Sequence, residues 1–225
     1  VRAPESVHIS MALVRTKLDF SQSYGVGSIS WDVNNGKYSM RIEAGIDMLI
    51  TSINLYQLTS EGSLGAFGIA PDTSTETRRT RASTATHFHQ EEKTISFSSS
   101  NKIVAMDNGA QDKASFLMQL AAIGYADERQ FFPGQEIAMQ VAEERDATPF
   151  QFLVLAKEEI TSKLGKIMAW HLVRAPRPGS YNSQLDIWLA PELGWYPIQI
   201  RNTESNGIVT VQTATKIMQK THQDN

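Results

Sequence analysis

The sequence predicts a mostly β domain of the α+β class, with a large curved antiparallel sheet or half-barrel wrapped around one main helix. Three observations lead there. Apolar and polar residues alternate with period two along most of the chain. Asn, Gly and Pro turn signals separate the alternating runs. The apolar period becomes helical in one long segment only.

The first strand places Val7, Ile9, Met11 and Leu13 on one face. A second alternates Ile29, Trp31 and Val33 with Ser28, Ser30 and Asp32, and Asn34-Asn35-Gly36 turns it back as a hairpin. Tyr38, Met40, Ile42 and Ala44 line one face of the third strand. A longer strand is expected from Met48 to Ser60, followed by a Gly-rich bend over Gly62–Gly68 toward Pro71. Residues 72–87 are rich in Thr, Ser and Arg and have no apolar face, so they read as an edge or solvent-washed strand. Ile95 and Phe97 mark a short strand.

The helix is expected from about Gln111 to Tyr125, with Phe116, Leu117, Leu120 and Ala121 as its apolar stripe. Asp112 sits where a helix start favours negative charge. Beyond Pro133-Gly134, strands are expected around Ile137–Val141, Phe150–Ala156, Ile167–Val173, Leu185–Leu189, Tyr196–Ile200 and Ile208–Thr213. A Pro/Gly loop covers Arg174–Ser180, and the tail from about residue 216 reads as irregular. The chain reads as a single domain over residues 1–225.

Composition narrows the function classes. The 225 residues are 41% apolar and 20% charged, ordinary values for a globular protein. The net charge of −3 argues against nucleic-acid binding, which draws on a basic surplus. With no cysteine, disulfides, thiol catalysis and Cys-based zinc sites are excluded. No apolar run reaches the ~18 residues of a membrane-spanning helix.

Two segments carry a family resemblance. One is Gly109-Ala110-Gln111-Asp112 with Ser115-Phe116-Leu117 and Gln119-Leu120-Ala121; the other is Trp188-Leu189-Ala190-Pro191 with Leu193-Gly194 and Pro197. With Ser60-Glu61-Gly62, Pro71 and Arg78-Arg79, they resemble the bacterial family known as domain of unknown function 3108, from about Tyr24 to the last strand. The resemblance implies an exported protein of the periplasm or cell envelope and supplies no activity. The export signal it implies is not in this chain, which starts at Val1. The late Trp-x-x-Pro hairpin also resembles one in periplasmic lipoprotein carriers, whose curved sheet surrounds a helix and an apolar cavity.

No catalytic or metal site is expected. His87 and His89 point the same way on a strand but lack a third ligand at suitable spacing. Arg78, Arg79 and Arg81 could clamp an anion, although charge on an edge strand also blocks aggregation. Glu143-Glu144 and Glu158-Glu159 read as solvated charge runs, and Asp112 as a helix-start residue. The glycines at 62, 65 and 68 lack dinucleotide-fingerprint spacing.

Trp31, Met40, Phe116, Leu120, Met139, Phe152 and Trp188 are the candidates for lining an apolar ligand site, with core packing as the alternative. The leading expectation is a non-enzymatic envelope protein without cofactors that binds or carries a lipid or acyl chain. The alternative is a structural module that contacts another envelope protein. An enzyme assembled from dispersed residues stands third.

Overall fold

The computed structural model describes residues 2–47, 52–176 and 183–220. Its strands follow the expected hairpins. They are β1 (Val7–Thr16), β2 (Gln22–Asn34), β3 (Lys37–Asp47), β4 (Ser52–Gly65), β5 (Gly68–Arg78), β6 (Thr84–His89), β7 (Thr94–Phe97) and β8 (Ser100–Ala105). A two-residue strand, β9 (Gln111–Asp112), precedes the helix α1 (Ser115–Ala126). After it come β10 (Glu136–Ala142), β11 (Ala147–Ser162), β12 (Gly165–Arg174), β13 (Gln184–Ala190), β14 (Tyr196–Thr203) and β15 (Val209–Gln219).

All these strands join one sheet, in the order β8-β7-β6-β5-β4-β3-β2-β1-β15-β14-β13-β12-β11-β10-β9. Every pairing is antiparallel except β9 with β10. The sheet is two meanders, β1–β8 and β10–β15, joined where β1 pairs with β15, Val7 opposite Gln219. Backbone pairing leaves it open, with β8 and β9 as its edges. At the β2–β3 hairpin Asn35 and Gly36 have φ of 50° and 72°, the positive values of a type I′ turn.

The helix joins the two flanks. Its residue Phe116 stacks on Phe152 of β11 at 5.7 Å. From the same helix Gln119 donates to the Phe67 carbonyl and accepts from the Ile69 amide, at the β4–β5 hairpin. The Gln140 side chain links the sheet's two ends, donating to the Ala105 carbonyl and accepting from the Asp107 amide. A small cluster of Phe88, Ile95, Phe97, Ala142 and Ala147 packs beneath this link.

Several expectations need correction. The 72–87 segment is interior, because β7 and β8 extend the sheet beyond β6. Its inward residues Ser74, Glu76 and Thr86 are polar yet buried, so no apolar alternation marks the strand. The Gly-rich stretch is strand and hairpin turn, since β4 runs to Gly65 and β5 starts at Gly68. The helix starts at Ser115, four residues later than expected, because Gln111 and Asp112 pair with β10. Nine of its twelve residues are buried, so it is covered on nearly all sides rather than along one stripe. Residues 216–219 belong to β15 and pair with β1, so the irregular tail does not begin at 216. The expected strand start at Met48–Thr51 and residues 177–182 of the Pro/Gly loop lie outside the described residues.

Candidate binding site

A cavity of about 620 Å³ lies between α1 and the inward face of the sheet. Period-two geometry builds its walls. Leu13 of β1, Ile29 of β2, Ile42 and Ala44 of β3, Leu58 of β4 and Ile200 of β14 share one face. Phe116 and Leu117 of α1 and Phe150 of β11 close the other side. The cavity opens where β1, β5, β12 and β14 reach their C-terminal ends, at Arg15, Arg78, Arg174 and Asn202.

Charged residues stand at this opening. Glu76, facing inward from β5, is buried. It accepts a hydrogen bond from Lys113 Nζ, a second from Arg78 Nε at 3.1 Å and a third from the Tyr56 hydroxyl at 3.1 Å. Burial pushes its carboxyl up, but the Lys113 hydrogen bond, the charges of Lys113 and Arg78, and the Tyr56 hydroxyl together hold it below its ordinary value. Burial and the neighbouring Glu76 charge raise the Tyr56 phenol. Arg15 pairs with Glu204 at 3.6 Å. Arg174 lies 4.2 Å over the Phe150 ring and donates to the Ser183 carbonyl. Glu143 completes the charged lining.

Behind the cavity, Asp112 anchors the helix start. Its Oδ1 accepts from the Ala114 and Ser115 amides, both at 2.8 Å, and its own amide donates to Ser115 Oγ. Ser60 donates to Oδ2, and Tyr38 and Ser60 hydroxyls lie 2.8 Å apart. Burial pushes the Asp112 carboxyl up against these hydrogen bonds. The helix-start role expected for Asp112 is the one it plays.

The seven candidate ligand residues separate. Phe116 lines the cavity. Trp31, Leu120 and Phe152 are fully buried core; Trp31 donates to the Pro4 carbonyl and stacks on Tyr38 at 4.9 Å. Met40 is buried and lines a separate polar concavity, and Met139 is half-buried against the core; neither lines this cavity. Trp188 faces the other side of the sheet, where it stacks on His171 at 4.2 Å and donates to Glu158.

That outer cluster was not legible as such. His171 Nδ1 lies 2.9 Å from Glu158 and Nε2 lies 2.7 Å from Asp186, so the ring faces two carboxylates. Arg201 also pairs with Asp186 at 3.2 Å and covers Trp188. Burial raises the Glu158 carboxyl, but the Trp188 and His171 hydrogen bonds outweigh it and hold it low. Asp186 is lowered in the same way, against burial, by His171, Gln184 and Arg201. Glu158 is therefore hydrogen-bonded while its side chain stays 42% exposed, and Glu159 beside it is exposed.

His87 and His89 sit exposed on β6, and His89 lies 2.8 Å from Ser96 Oγ. Among the described residues no group of three His, Asp or Glu side chains could hold a metal. Arg79 and Arg81 are exposed in the β5–β6 turn, while Arg78 pairs with Glu76 through Nε. A polar concavity of about 430 Å³ on the outer face, among Ser39, Arg41, Thr59 and Thr75, lacks comparable apolar walls.

An open, curved antiparallel sheet with one buried helix and an apolar cavity between them defines the class of protein. Within that class, the chain belongs to the DUF3108 family of proteins of unknown function, matched over residues 17–213. No curated protein is significantly similar to it. Among solved structures, the β-barrel-like DUF1849 protein of Brucella abortus superposes with a TM-score of 0.62 at 9% identity, covering 98% of this chain and 100% of that one. A LolA superfamily protein of Nitrosomonas europaea superposes with a TM-score of 0.37 at 10% identity, covering 99% and 90%. The first likeness establishes a shared fold. The second is too loose to bear on function.

Proposed function

We propose that this protein is a non-enzymatic binding protein of the bacterial cell envelope that takes an apolar chain, a lipid or acyl group, into the concavity of its sheet. The observation that carries the reading is the cavity of about 620 Å³, walled by Leu13, Ile29, Ile42, Leu58, Phe116 and Ile200 and open to solvent. Its size lies within the range of small-molecule sites, and apolar walls with a few polar groups at the mouth are their usual make-up. The envelope location rests on the family's implied export.

A neutral fluorescent apolar probe, N-phenyl-1-naphthylamine, tests the reading. It should bind the purified protein saturably at micromolar concentration. Ala44→Trp, which puts an indole into the cavity, should weaken binding while leaving the unfolding transition in place. Native mass spectrometry of protein purified from cells should show an acyl-bearing species. If no probe binds and no such species is found, the carrier reading fails.

A contact module is the second reading, favoured by the β1–β2 turn. Leu18 and Phe20 are 68% and 86% exposed there, and Tyr24 beside them is 69% exposed. Phe20 has φ of 64°, uncommon for a side-chain-bearing residue.

A further inference from the structure

The charges at the cavity mouth are unequal. Arg15, Arg78, Lys113 and Arg174 line the cavity, while the carboxylates against them are Glu143 in the lining, Glu204 on Arg15, and Glu76 shared by Arg78 and Lys113. Of these, Arg78 and Lys113 share a single carboxylate, in a protein whose formal net charge is −3. Glu76 serves two cations at once, and both line the cavity beside Tyr56. Neither cation is sealed in: the Lys113 side chain is 29% exposed and that of Arg78 is 45% exposed. Burying Glu76 between two cations is a poor way to gain stability if one would satisfy it. It does hold two donors at the edge of an apolar wall, with one positive charge left over.

The volume sets the length of a guest. A methylene takes up about the liquid volume of a water molecule, roughly 30 Å³, so the cavity holds on the order of 20 such groups. That fits one long chain rather than two.

We infer that the ligand is a single-chain amphiphile with an anionic head, carboxylate or phosphate, held by Lys113 and Arg78 while its chain lies between Leu58, Phe116 and Ile200. This inference rests on the binding function proposed above and names the chemistry of its ligand. A head bound there would accept charge-assisted hydrogen bonds, stronger than those between neutral groups. Arg78 is the versatile member, because its planar fork can serve Glu76 and a second anion together.

The test compares three probes with one chain length: hexadecanoate, hexadecyl phosphate and hexadecanol. The alcohol reports the cavity alone. Each anion should bind about tenfold or more tightly than the alcohol, the range for hydrogen bonds to a charged group. The stronger anion would distinguish a fatty-acid head from a phosphate head, and either one exceeding the alcohol supports the inference. Glu76→Gln frees both cations and should raise the anion-to-alcohol ratio; Lys113→Gln should lower it. A salt bridge that served folding alone would give no rise with Glu76→Gln. If alcohol and anions bind equally, the head-group inference is overturned while the cavity function stands. If none of the three binds, the binding function itself fails.

Discussion

Gly124 of the helix and the indole of Trp195 share a space that admits no Cβ. A Cβ built on Gly124 would stand 2.2 Å from Trp195 Cε3 and 2.3 Å from Cζ3. The ring is buried, packs on Phe131 at 4.7 Å, and belongs to a residue with φ of 66°. Exposed helix positions gain about 1 kcal/mol on going from Gly to Ala. Here the clash should win, and Gly124→Ala should destabilise the fold by about 1–3 kcal/mol as an overpacked site. Urea denaturation measures it. Trp195→Leu placed in the same chain should recover part of the loss.

The Gln140 amide stands in for a missing strand pairing between the ends of the sheet, through its bonds to Ala105 and Asp107. Gln140→Leu removes both bonds and leaves the Ala105 carbonyl and the Asp107 amide without them, so it should destabilise by roughly 1–3 kcal/mol. Native-state hydrogen exchange should quicken first at the Asp107 amide. Unchanged exchange there would show that the link contributes little.

Asp112 satisfies two amides of the helix start and receives a hydroxyl from β4. Asp112→Ala leaves these donors buried and unpaired, at a cost of at least ~2 kcal/mol. Asp112→Asn keeps an acceptor and should cost less. A thermal melt of the two variants side by side gives the comparison.

The outer cluster predicts an acid response. Glu158 and Asp186 are both held below their ordinary values in the folded protein. Such groups contribute stability that is present above the ordinary carboxylate range and is lost as pH falls through their folded values. The Glu158→Gln/Asp186→Asn pair should therefore be less stable at neutral pH and should lose less on acidification. Denaturation midpoints taken from pH 7 down to pH 3 should converge between wild type and variant.

Strand existence was largely legible in the sequence because one face of each long hairpin is aliphatic. It failed where the inward face is polar. Glu76 and Ser74 give β5 the look of an exposed edge, although hydrogen bonds make their burial tolerable. Glycine hid the start of β2, where Gly25 and Gly27 let neighbouring carbonyls approach within 2.6 and 2.9 Å of a built Cβ. The cavity was half legible. The helix stripe contained Phe116 and Leu117, but the opposing wall of Leu13, Ile42, Leu58 and Ile200 depends on which strands face each other across the curl. Lys113 and Glu76 are far apart in sequence, and no spacing rule joins them.

The pairing of β1 with β15, at the middle of the open sheet, brings Ser6 and Lys220 side by side. Val7 lies opposite Gln219, the Lys220 amide donates to the Ser6 carbonyl, and Arg15 opposite Thr210 marks the far end of the same ladder, at the cavity mouth. A circular permutant opened at the exposed Lys163–Leu164 turn, with a short linker joining Lys220 to Arg2, would keep every described strand beside its present neighbours. Ser6 and Lys220 lie at the end of this ladder away from the mouth. The chain would then begin at β12 and finish at β11, while the sheet kept β8 and β9 as its edges and the same cavity over its inward face.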